Sequence, residues 1–227
     1  VGLILAIECV VMVAGGHNQQ PAWSWFTTLG LSREGVFSGK VWQLVSYGFL
    51  HGGWGHLGLN GVLLLIVGSR IEHITGRGNL SKALLLGVLG GGIGHLWLAP
   101  GGADAPLLVG LSGGCLGLLL LLVTLSPQSR MMPLPLSGRS LGLGVLSAEL
   151  FLTLLNPSLG FPGLAGLGRS LVAHGMGGLF EMGHACHFGG GVAGWLFGRW
   201  LLRQRVSLTS LRRARERREA MDVRRGR

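Results

Sequence analysis

The stretch Pro106-Leu107-Leu108-Val109-Gly110-Leu111-Ser112-Gly113-Gly114-Cys115-Leu116-Gly117, which continues without a charge to Leu125, decides the fold. A helix beginning at Ser112 and ending near Ser126 rises ~21 Å, too short for a ~30 Å hydrocarbon core. Its start must therefore be submerged, and the loop from Pro106 to Leu111 must dip into the membrane. Non-helical backbone at that depth is tolerated only inside protein or beside a water-filled cavity. The sequence thus predicts a wet cavity with Ser112 at its floor.

The rest of the chain supports a membrane setting. Only 12% of residues are charged against 48% hydrophobic, about half the charged fraction of a soluble domain. Mean hydropathy is +0.51. Six apolar segments stand out: Val1–Ala14, Leu57–Ser69, Leu84–Ala99, Ser112–Leu125, Leu141–Leu155 and Phe188–Leu202. The reading is an all-α polytopic membrane protein with a six-helix bundle over residues 1–203 and a basic tail over 204–227. Val1–Ala14 is short for a span and lacks the basic flank of a signal peptide. It reads as a membrane helix that starts at or before residue 1. The connection Gly15–Gly55 carries Trp23, Trp25, Trp42, Tyr47 and Trp54, as suits a segment at the membrane interface. Cys9, Cys115 and Cys186 are an odd set in or beside apolar segments, with no disulfide framework and no metal spacing.

Basic residues give the orientation. With a cytoplasmic amino end, the outer loops hold Arg33, Lys40 and Arg169. The inner side then holds Arg70, Arg77, Lys82, Arg130, Arg139 and the arginine-rich tail. The positive-inside rule favours that arrangement, with both ends cytoplasmic in a cell (inner) membrane. The tail reads as a stop-transfer segment held at anionic lipids. No nucleic-acid partner is expected, because the tail has neither stacking aromatics nor a recognisable module.

Three sets of polar residues lie within or beside the apolar segments: His56 with Asn60, Ser112, and His187. Such groups are costly in lipid and point to function. Their segments run in one direction. From Asn60 to Arg70, from Ser112 to Ser126 and from His187 to Arg199 the rise is ~15, ~21 and ~18 Å, so all three sets lie at a similar level in the outer half of the bilayer. Alone, each reads as packing or interhelical hydrogen bonding; jointly they have the chemistry of a serine hydrolase. Ser112 supplies a nucleophile at a helix start, whose free N–H groups can donate to an anion. His187 supplies a base with a pKa near neutrality. His56 and Asn60, spaced i, i+4, share a helix face and can donate to an oxyanion. No carboxylate reads as well placed to orient His187, since Glu149 lies in the fifth segment and Glu181 outside the sixth, so the expectation is a Ser–His dyad. Gly113 with Gly117, and Gly190 with Gly194 and Gly198, form small faces that bring helices close in lipid. His51 and His184 read as the nearest candidates for supporting the site.

These residues resemble the bacterial rhomboid proteases from Trp42 to about Arg203. The pieces are Val41-Trp42-Gln43, His51 with His56-x-x-x-Asn60, Gly110-Leu111-Ser112-Gly113, His187-x-x-Gly190-x-x-x-Gly194, and Glu72 after the second helix. The resemblance implies a rhomboid-like six-helix intramembrane serine endopeptidase. It implies Ser112 as nucleophile, His187 as base, and His56, Asn60 and the Ser112 backbone as oxyanion hole. Transmembrane protein segments would be cut near the outer interface, with no metal or cofactor, and with the fifth helix and overlying loop gating entry. The chain departs from the family's pattern at Gln43, where arginine is usual, and at Cys186, where alanine is frequent. It departs also at Leu116, where many members carry a tyrosine stacked on the histidine. The alternative is a catalytically inactive relative that binds membrane helices. Such relatives usually lack the serine or the histidine; this chain has both. A transporter would need acidic or histidine pairs along a path through the bilayer, and the inner halves of the helices offer only Glu149.

Overall fold

In the computed structural model, residues 2–14, 22–101, 105–130, 135–203 and 215–216 are described. The basic tail expected over 204–227 lies almost wholly outside them. Among the described residues the fold is all-helical: α1 (Gly2–Val13), α2 (Ala22–Leu29), α3 (Arg33–Phe37), α4 (Gln43–Ser46), α5 (Trp54–Thr75), α6 (Arg77–Leu98), α7 (Ser112–Leu125), α8 (Gly138–Leu155), α9 (Leu164–Leu171) and α10 (His184–Arg203). Among the described residues, three helices, α5, α6 and α8, are long and apolar enough to cross a membrane, and α1 and α7 are shorter apolar helices. Large apolar side chains face outward along them. Leu59, Val62, Leu65 and Ile66 on α5 are all more than half exposed. Such a surface is stable only when another apolar medium covers it.

α5 and α6 extend past the apolar segments into polar sequence, through Glu72 and His73 and back to Arg77. Apolar patterning stops at the first charges, whereas the helix carries on until Gly76, whose φ of +83° breaks it. The described part of the aromatic-rich first connection holds the short helices α2, α3 and α4.

α6, α7 and α10 form the centre through glycine faces. A Cβ at Gly190 would overlap the Gly113 carbonyl, and one at Gly194 that of Gly117. The two small stripes read from the sequence therefore meet each other. A third glycine face, on α6, completes the seam: a Cβ at Gly94 would sit 2.6 Å from the Ala185 carbonyl, and one at Gly87 2.9 Å from Gly114 Cα. α8 packs outside this centre, with Leu141, Val145 and Leu146 against Leu120 and Val123.

Candidate active site

α7 begins at Ser112, as expected. The approach packs into protein at Leu108, Gly110 and Leu111, which are buried, while Pro106 is exposed. Leu108 exchanges backbone hydrogen bonds with Leu31 (2.9 Å each way), and the Gly110 N–H donates to the Tyr47 carbonyl at 3.0 Å. Gly110 has φ +114° and lies against His56, where a Cβ would come within 2.5 Å of the ring. No other residue type meets both demands.

The glycine seam delivers His187 to Ser112, with Nε2 2.8 Å from the Ser112 Oγ. The His187 side chain is 15% exposed and Ser112 is half-buried, so neither is fully enclosed. His56 and Asn60 also come to this place, flanking Gly110. The Gly52 N–H donates to His56 Nδ1 at 3.4 Å, which leaves the proton of a neutral His56 on Nε2, a donor on the Gly110 side. The Asn60 Nδ2 is buried without a hydrogen-bond partner, although the residue is only 2% exposed. A buried donor left open costs stability unless something else uses it. Cys115 ties α7 to this helix, its Sγ 3.5 Å from the Asn60 carbonyl.

The expectation that no carboxylate reaches His187 is corrected. Glu149 Oε1 on α8 is 3.2 Å from His187 Nδ1, and its Oε2 is 2.6 Å from His184 Nδ1. Position in a segment gives depth but not rotation about the helix axis, and the fifth segment alone did not reveal which way Glu149 points. The available signal was the carboxylate itself, since an acidic residue inside an apolar helix is rarely idle. His184, a near candidate in the sequence, is held on its other side by the Leu179 carbonyl at 2.7 Å. His51 is fully buried edge-on to His56, with ring centres 5.2 Å apart. Burial and then the His56 charge push its pKa down to about 4, so it is a neutral wall beside His56 at pH 7. His174 is exposed and bonds to the Ser170 carbonyl, away from these groups.

Glu149, His184 and His187 bring one ligand atom each to within 4.8 Å of one another. They are the described residues whose donor set fits a metal such as zinc. Glu149 hydrogen-bonds to both histidines directly, through one oxygen to each.

The departures read in the sequence have local explanations. Gln43 is buried where an arginine is usual: its side-chain oxygen accepts from the Ser32 N–H at 3.3 Å, and its amide donates to the Thr28 carbonyl at 3.2 Å. The Trp42 indole donates to the same carbonyl at 3.0 Å. Leu116 packs with Leu120 and Val123 toward α8. Cys186 fills the space between Gly91 and Gly113, 3.5 Å from the Tyr47 hydroxyl.

These features define a multi-pass helical membrane protein with a serine and a histidine in hydrogen-bond contact. A rhomboid domain is matched over residues 38–204. The chain belongs to the rhomboid family. It is 39% identical over 75 residues to rhomboid-related protein 3 of Homo sapiens, a match spanning 33% of this chain and 18% of that protein.

Proposed function

We propose that the chain is an intramembrane serine endopeptidase that cuts transmembrane segments of other membrane proteins. α1, α5, α6, α7, α8 and α10 form six spans, both ends are cytoplasmic, and the site opens to the outer side. The observation that carries the reading is the 2.8 Å contact between His187 Nε2 and Ser112 Oγ, the distance a general base needs to take the hydroxyl proton.

The Ser112 Oγ attacks the carbonyl carbon of the scissile peptide, and its proton passes to His187 Nε2. Negative charge develops on the carbonyl oxygen, where the His56 Nε2–H, the Asn60 amide and the Ser112 backbone N–H can donate. The C–N bond breaks as the imidazolium gives its proton to the leaving nitrogen. Water then releases the acyl group by the same steps with His187 again as base. Bilayer lipids surround the domain, and anionic lipids are the partners of the basic tail.

A fluorophosphonate probe tests this on protein purified in detergent and again in lipid bilayers. Wild type is expected to gain one adduct on Ser112 by peptide mass spectrometry, and Ser112→Ala and His187→Ala none. A folded wild type that stays unlabelled in both settings would contradict the proposal and favour a helix-binding protein without activity.

A further inference from the structure

We infer that Glu149 is a positioning residue for His187, so that this chain works through a continuous Ser112–His187–Glu149 hydrogen-bond chain instead of a serine and histidine alone. The inference rests on the function proposed above.

Counting donors and acceptors gives the protonation pattern. To serve as base, His187 must present an unprotonated Nε2 to the Ser112 hydroxyl. Its one proton is then on Nδ1, which faces Glu149 Oε1 at 3.2 Å. An ionised carboxylate accepts that proton's hydrogen bond and fixes both tautomer and ring orientation. His184 lies between two acceptors, Glu149 Oε2 at 2.6 Å and the Leu179 carbonyl at 2.7 Å. With Glu149 ionised, both nitrogens of His184 face acceptors and donate to them, and the charge this gives His184 balances Glu149. A carboxylate in an apolar helix is costly unless paired, and His184 supplies that pairing while leaving Glu149 Oε1 for His187. Both histidines are presented by α10 at i, i+3, which puts them on one face toward α8. Leu116 packs into the leucines between α7 and α8, so the ring orientation that an aromatic neighbour gives elsewhere falls to Glu149 here. Among the described residues, the other polar or titratable groups around His187 include Ser112 on α7, His56 and Asn60 on α5, and Cys186 on its own helix.

During the attack the Ser112 proton moves to His187 Nε2, and the imidazolium is stabilised by Glu149, which stays ionised throughout. When the proton leaves for the departing nitrogen, His187 returns to its Nδ1–H form.

The test compares wild type with Glu149→Leu, a substitution of similar length that suits an apolar helix. Rates of fluorophosphonate labelling are measured, and nitrogen NMR of labelled histidine reports the His187 tautomer. The inference expects labelling slowed about 100-fold or more, with His187 in the Nδ1–H form in wild type and no longer so in the variant. Labelling within threefold of wild type, or an unchanged His187 tautomer in the variant, overturns the inference and leaves the proposed activity standing. Wild type that never labels at Ser112 overturns both. If Glu149→Leu does not fold, the wild-type spectrum decides, because an Nε2–H form of His187 excludes the hydrogen bond to Glu149.

Discussion

At the α7–α10 seam Gly190 faces the Gly113 carbonyl and Gly194 that of Gly117, whereas α8 meets the same two helices through Leu141, Val145, Leu146 and the polar Glu149. The first contact has no side chain that can change rotamer, so the backbones are held at one separation. The second is an interdigitation of leucines and valines, with Leu143 59% and Phe151 49% exposed on the far side. Ser112 and His187, the proposed nucleophile and base, therefore belong to the fixed part of the molecule, and Glu149, proposed to orient the base, sits on the peripheral helix. Under the proposed function, a substrate helix admitted beside α8 would disturb Glu149 before it disturbed the Ser112–His187 contact. That division separates changes that destroy the fold from changes that alter only chemistry.

The largest expected effect comes from breaking the seam. Gly194→Leu forces a branched side chain into the Gly117 backbone and should cost about 3 kcal/mol or more, seen as lost monodisperse protein or an early transition in mixed-micelle unfolding. A stable Gly194→Leu protein with labelling intact would remove the distinction between the two regions. Next comes Asn60→Ala, which deletes a donor that makes no hydrogen bond in the resting protein. Stability should stay near wild type while the cleavage or labelling rate falls roughly 10²–10³-fold; equal loss of both would show that the amide serves packing instead. The smallest effect is expected at the exposed face of α8. A Cβ at Gly144 meets nothing within 4 Å, so Gly144→Ala should stabilise slightly, by up to about 1 kcal/mol of helix propensity, with labelling unchanged. A measurable loss would mean that α8 packs more tightly than its contacts indicate.

Much of this was legible because lipid makes polar groups conspicuous. Ser112, His187, His56 and Asn60 stood out by being costly where they are, and the glycine spacing named both faces of the seam. The third glycine face on α6 was present in Gly87, Gly91 and Gly94, but only its partners show that it is used. The helices α2, α3 and α4 were hidden because a short aromatic-rich stretch has no clear period, and its fold is set by buried polar contacts such as those of Gln43. Glu149 was hidden for a geometric reason, since helix rotation depends on leucine packing that no single segment records.

The most direct test of the central claim is cleavage inside a bilayer. A model transmembrane segment with small residues in its outer half is reconstituted with the protein in liposomes, and the products are sized by intact mass spectrometry. Wild type is expected to cut within that outer half and to give matching amino- and carboxyl-terminal fragments, and Ser112→Ala is expected not to cut. Cleavage that persists in Ser112→Ala, or a wild type that labels with fluorophosphonate yet cuts no membrane segment offered to it, would contradict the assignment of Ser112 as the nucleophile of an intramembrane protease.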